Sequence, residues 1–290
     1  MERGLDPIAA KGAAFSECRV EVEEGVRLRC YRWQPLSENG TCSVFFVAGW
    51  ISLVSGWRAL LQELVRTRPV VYLETREKRS AEIAPELMKP TNFTIPCLAD
   101  DLVVASETLG LDNHRTVLFG SSMGSNAILE ALKNSRLPAR AAFLVGPNAE
   151  FHFPVWGKIA LRTVPAWLIE RLKGFVIWYL RRFRVDAQSD PDQMARYVRT
   201  VGAADSMRLK LSARAVQGYS LMPGLETVST PVAVAYAGSD TLHNEREVRR
   251  IVEAMPRGTA VTCPSNTYMH DAEVARDLEY YLGSLNDRKD

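Results

Sequence analysis

The residues best suited to chemistry are Gly120-Ser121-Ser122-Met123-Gly124, a G-x-S-x-G run. The five-residue pattern arises by chance in many chains, so its context decides its weight. It follows a strand-like apolar stretch, Thr116–Phe119, and precedes a helical stretch at 125–134. Small residues beside the central serine let the backbone double back sharply between strand and helix. Ser122 then projects at a helix start, where backbone N–H groups stabilise developing negative charge. The chemistry this implies is attack on an acyl carbonyl. A serine hydroxyl is a poor nucleophile without a base, so a histidine and an orienting carboxylate are required as well.

The chain has four histidines, which permits elimination. His114 precedes the strand that leads to Ser122, at the opposite edge of any parallel sheet. His152 begins a long helical stretch and could only overhang the site. His243 reads as a loop histidine. His270 follows the last strand-like run and precedes the last helix, which is the required edge. Asp240, just after the strand at 232–236, is the expected carboxylate, with Glu150 and Asp271 as rivals. The order is Ser122, Asp240, His270.

These residues depend on the elements that carry them. Alternation at 18–23 and 26–33 around Glu24-Gly25 predicts an antiparallel hairpin. Beyond it, continuously apolar strands near 43–48, 69–73, 116–119, 140–145, 232–236 and 259–262 alternate with helices. That pattern predicts an α/β fold with a mostly parallel sheet covered on both faces. Residues 152–225 hold no strand-like run and read as a helical insertion. Ligands of open α/β sheets sit beyond the carboxyl ends of the strands, where Ser122, Asp240 and His270 fall.

With these features together, the chain resembles the α/β-hydrolase superfamily over residues 18–285. The resemblance is most specific at Gly120–Gly124, Gly238-Ser239-Asp240 and Tyr268-Met269-His270-Asp271. It implies an eight-stranded, mostly parallel sheet flanked by helices. It also implies a catalytic domain over 15–151 and 226–290 with a helical cap over 152–225. The resemblance further implies an oxyanion hole formed by the N–H groups of Met123 and Trp50. The usual histidine before the loop glycine is absent from Ala48-Gly49-Trp50. The Trp50 indole is expected either to line an acyl pocket or to be a core side chain with a satisfied N–H. Gly49, Trp156 and Trp178 are the expected substrate-binding residues. After the next strand, Glu74-Thr-Arg-Glu-Lys-Arg-Ser80 keeps only Arg76 and Ser80 of a common family stretch, and reads as a solvated charged loop.

Composition narrows the partners. A net charge of +2 over 290 residues gives no global field for DNA or RNA, so no nucleic-acid partner is expected. Five scattered cysteines without CxxC spacing argue against a disulfide framework or a metal site. Met1–Phe15 does not read as a signal peptide, and Phe175–Leu180 is too short to span a bilayer, so a cytoplasmic location is expected. The insertion mixes Trp156, Trp167, Phe175 and Trp178 with Arg162, Arg171, Lys173, Arg181, Arg182 and Arg184. Either its apolar face packs on the catalytic domain with the arginines in water, or it covers an acyl chain and can touch an anionic membrane surface. The expected activity is a serine hydrolase of carboxylic esters or thioesters, with a small-molecule acyl substrate and no metal or organic cofactor. An acyltransferase with the same triad and a non-catalytic binding protein of the same fold are the alternatives.

Overall fold

The structure, a computed structural model, describes residues 6–37, 42–151, 153, 155–183, 198–238 and 245–287. Among the described residues, nine strands form one sheet: β1 (Ala13–Glu23), β2 (Val26–Pro35), β3 (Ser43–Val47), β4 (Val70–Leu73), β5 (Glu82–Ile83), β6 (Thr116–Ser121), β7 (Ala141–Val145), β8 (Val232–Ala237) and β9 (Gly258–Cys263). Their order is β1-β2-β4-β3-β6-β7-β8-β9, with β5 beside β2. The β1–β2 hairpin is antiparallel and pairs antiparallel with β4, and every pair from β4 to β9 is parallel. The two-residue β5 is the one strand beyond the expected eight. It is too short to leave a periodic signal.

The strand positions follow burial. Every residue of β4, β6, β7 and β8 is buried, as continuous apolar runs require when helices cover both faces. The helices named among the described residues are α1 (Arg58–Leu64), α2 (Ile95–Thr108), α3 (Met123–Leu132), α4 (Val155–Thr163), α5 (Ala166–Phe183), α6 (Ser206–Ala215), α7 (Glu245–Glu253) and α8 (Val274–Asp287). A further helical turn covers 198–203. The helices α4, α5 and α6 lie between β7 and β8, and no strand interrupts them among the described residues. The two ends of this insertion are stitched together by a bridge between Glu150 and Ser220 and by Leu221 N–H donating to the Ala149 carbonyl at 2.9 Å. No described helix is long and apolar enough to cross a membrane.

One face of the sheet carries a ladder of rings set by register. Tyr72, Phe46, Phe119 and Phe143 are direct neighbours across β4, β3, β6 and β7. Their centroids lie 5.2, 4.6 and 5.7 Å apart in turn, all stacked. Buried aromatics at such spacing add about 0.5–1.5 kcal/mol per pair beyond area burial. Trp57, from the turn before α1, meets Phe46 edge-on at 5.1 Å.

All five cysteines are unpaired, but Cys18 and Cys30 stand directly opposite one another in the β1–β2 register. Opposed residues place their Cα atoms about 4.5–5.5 Å apart, inside the range a disulfide spans. The hydrogen bond from Cys30 is the main influence that lowers the Cys18 thiol to about 7. Diamide treatment at pH 8 is therefore expected to consume two thiols without forming a dimer. Mapping the peptides should return the Cys18–Cys30 link, and Cys18→Ser should abolish it.

Candidate active site

Ser122 sits between β6 and α3 with φ +46° and ψ −118°, a region non-glycine residues rarely adopt. Several bonds hold it there. Its N–H donates to the Val145 carbonyl at the end of β7 (2.8 Å), and its carbonyl accepts from Asn126 N–H (3.1 Å). Ser125 Oγ donates to the same Val145 carbonyl at 3.1 Å. Of the flanking glycines, Gly124 is sterically required and Gly120 is tightly enclosed. A Cβ on Gly124 would lie 2.2 Å from the Val47 carbonyl oxygen, and one on Gly120 would lie 2.7 Å from Ile128 Cδ1. Met123 is the first residue of α3, so its N–H has no intrahelical carbonyl to meet.

His270 lies in a 3₁₀ turn, Tyr268–His270, between β9 and α8. Its ring stacks on Trp57 at 4.4 Å between centroids with 27° between planes. The ring ladder of the sheet therefore sets the height of the imidazole through Trp57. His270 Nδ1 lies 2.9 Å from the Asn266 carbonyl oxygen. A carbonyl only accepts, so in the neutral ring Nδ1 carries the hydrogen and Nε2 the lone pair, the tautomer a general base needs. Asp240, His243 and His152 lie outside the described residues. Of the rival acids, Asp271 Oδ1 accepts from Ala272 N–H at 2.7 Å, and Glu150 is exposed. His114 is exposed at the amino edge of the sheet.

The Ala48-Gly49-Trp50 loop lies against the serine turn. Gly49 N–H donates to Ser121 Oγ at 3.0 Å, and a Cβ at Gly49 would come within 3.2 Å of Ser122 Cβ. The Gly49 carbonyl accepts from Ser52 N–H at 3.0 Å and from Lys78 Nζ at 2.6 Å. The Trp50 indole donates to Ser212 Oγ of α6 at 2.8 Å, so its N–H is satisfied by the inserted helices. Ile51 follows at φ +51°, an outlier for a β-branched side chain.

The segment 74–80 is not the solvated charged loop expected from its composition. Glu74, Thr75, Arg76, Glu77 and Lys78 are all buried, and only Arg79 is exposed. Each buried charge has a partner. Arg76 makes a two-pronged pair with Asp101 (Nε 2.6 Å, Nη2 2.7 Å) and reaches Glu23 at 2.8 Å. Lys78 Nζ lies 3.0 Å from Glu77, which accepts from Thr75 at 2.7 Å. Ser80 donates to Glu74, whose carboxyl is raised above its ordinary value, chiefly by burial. The charges therefore turn inward and buttress the site loops.

The inserted helices meet this buttress through α6. Asp205 caps α6 by accepting from the N–H groups of Met207 and Arg208, each at 3.0 Å. Arg208 and Ser212 lie one turn apart on α6, and Arg208 donates to the Lys78 carbonyl while Ser212 receives the Trp50 indole. Of the basic residues expected to face a ligand or water, Lys173 is buried and tied to Glu170 (2.7 Å) and the Ala204 carbonyl (2.6 Å). Arg171 lies over the Trp167 ring at 5.5 Å. The apolar face does not pack away entirely, since Ile159, Trp167 and Trp178 are more than half exposed. The side chains of Trp156, Arg181 and Arg182, and Arg184 as a whole, lie outside the described residues.

One residue at the site carries no sequence signal of its own. Asn148, three residues after β7, directs Nδ2 to Ser122 Oγ at 3.5 Å. It is locked by reciprocal bonds with Asn126 of α3: Asn148 N–H to Asn126 Oδ1 at 2.9 Å, and Asn126 Nδ2 to the Asn148 carbonyl at 2.7 Å. The available hint was positional: an amide just past the carboxyl end of the strand beside β6.

By sequence the chain matches no protein-family model and no curated protein. By structure it is similar to an enol-lactonase from Burkholderia xenovorans (TM-score 0.70, 18% identity, covering 92% of this chain and 98% of that one). It is similar to a thermophilic esterase from Thermogutta terrifontis (0.70, 17%, 92% and 99%) and to a bromoperoxidase from Bacillus anthracis (0.68, 14%, 95% and 100%). The chain has the α/β-hydrolase fold.

Proposed function

We propose that this chain is a serine hydrolase that cleaves carboxylic esters or thioesters through an acyl-enzyme. The observation that carries the reading is Ser122, held at φ +46° on a turn between strand and helix, with Gly124 where no side chain fits. Such strain persists where the surroundings over-determine it, typically at functional sites. Ser122 Oγ attacks the acyl carbonyl as His270 Nε2 takes its proton. The N–H groups of Met123 and Trp50 receive the negative oxygen. The imidazolium protonates the departing alcohol or thiol, and the same nitrogen then activates water to release the acid. Asp240 is assigned the orienting carboxylate, alongside the Asn266 carbonyl at Nδ1. The esterase and lactonase named among the structural neighbours support ester chemistry.

The exposed Ile159, Trp167 and Trp178, interleaved with Arg162 and Arg171, support a substrate with an apolar acyl chain. They also support contact between these helices and an anionic lipid surface. A fluorophosphonate probe is expected to label the protein covalently. A series of p-nitrophenyl esters is expected to peak at medium or long chains. Absence of labelling would refute the hydrolase reading, whereas labelling with activity peaking at acetate would refute only the acyl-chain assignment.

A further inference from the structure

We propose that Lys78 is a positioning residue of the oxyanion hole, fixing through the Gly49 carbonyl the peptide plane that carries the Trp50 N–H. The inference rests on the serine-hydrolase reading. The C=O of Gly49 and the N–H of Trp50 belong to one planar peptide unit, and no peptide bond in the described chain is cis. In a trans unit the two groups point in opposite directions. Whatever holds the oxygen therefore aims the hydrogen.

The oxygen is held by Lys78 Nζ at 2.6 Å and by Ser52 N–H at 3.0 Å. The other side of Gly49 is fixed by its own N–H on Ser121 Oγ. Packing alone does not hold the loop. A cleft of about 420 Å³, lined by Ile51, Leu53, Val54, Lys78, Arg79 and Ala204 among others, opens between it and segment 74–80. The positive φ of Ile51 adds strain that a clamp must oppose. A buried ammonium on a carbonyl also polarises that peptide and strengthens its N–H as a donor.

Lys78 is itself well placed. Its side chain is 5% exposed and paired with Glu77, and its own carbonyl accepts from Arg208 of α6. Neutralising Glu77 is the simpler role for this lysine, and the test separates the two. Lys78→Met removes the clamp but strands a buried carboxylate. Glu77→Gln with Lys78→Met removes the clamp without stranding Glu77, while Glu74, which Lys78 also faces, keeps Ser80 and Arg29.

The measurements are kcat and KM on the preferred p-nitrophenyl ester, the inhibition constant of an alkyl boronic acid, and the melting temperature. A boronic acid forms a tetrahedral adduct on the serine and reports the hole directly. In the double variant, kcat is expected to fall about 10–100-fold and boronic acid inhibition to weaken by a similar factor, with KM and melting temperature close to wild type. A labelled, active wild type alongside a double variant with unchanged kcat and unchanged boronic acid affinity would overturn the role of Lys78 alone. So would a rise in KM with kcat intact. A wild type that resists the fluorophosphonate would overturn the hydrolase reading and this assignment with it.

Discussion

Ser122→Ala is expected to lower ester hydrolysis by about 10⁴-fold or more, leaving KM for any residual activity near its original value. The size follows from the division of labour at the site. In the proposed mechanism, loss of Oγ removes the acyl-enzyme and leaves His270 and the N–H pair only to assist direct attack by water. Ser122→Gly sharpens the prediction. Alanine retains a Cβ and therefore the strain of φ +46°, whereas glycine adopts that conformation freely. Both variants are expected to be equally inactive, with Ser122→Gly more stable than Ser122→Ala by about 1 kcal/mol. Initial rates and urea denaturation of the two purified variants check both halves. Activity retained in either variant would move the nucleophile elsewhere. Equal stability would show that the turn stores no strain.

The parts of the site that were legible in sequence are those whose requirements are local. Gly124 is demanded by the Val47 and Ala48 carbonyls of the strand beside it and Gly120 is tightly enclosed by Ser125 and Ile128, so the serine turn announces itself within five residues. His270 is reached by exclusion among four histidines, because the loops that follow the strands of a parallel sheet all open on the same edge. The buttress was not legible, because its partners are remote. Arg76 meets Asp101 and Glu23, 25 and 53 residues away, and a run of charges looks the same whether it faces water or another set of charges. The Asn126–Asn148 lock and the grip of Lys78 on Gly49 were hidden for the same reason. Hydrogen bonds formed by polar groups have no periodicity, unlike the apolar runs that revealed the strands. The ring ladder under His270 lies between these cases. Tyr72, Phe46, Phe119 and Phe143 sit within recognisable strands, but only the register shows that they align.

The inward turn of those charges leads to the second large effect. Arg76→Leu is expected to destabilise the fold by about 3–5 kcal/mol, the usual consequence of removing one partner of a buried pair. Asp101 is 1% exposed, so its carboxylate would be left without its cation in the interior. Glu23 adds little, since its side chain is 44% exposed and screened by water. The double variant Arg76→Leu/Asp101→Leu should recover most of the loss, because two apolar side chains leave no buried charge to strand. The deficit also depends on pH. Burial, opposed by the Arg76 hydrogen bonds, pushes Asp101 up to about 6. A carboxyl raised in the folded state favours folding below the unfolded value of about 4, and that contribution is lost as pH rises through the folded value. Removing Arg76 raises the folded value further. The variant therefore keeps losing stability at pH values where the wild type has levelled off. The gap between Arg76→Leu and wild type should be small near pH 4 and widen above about pH 6. Urea denaturation of the single and double variants across that range measures it. A gap independent of pH, or a double variant no better than the single, would mean that Arg76 acts through packing and not through its charge.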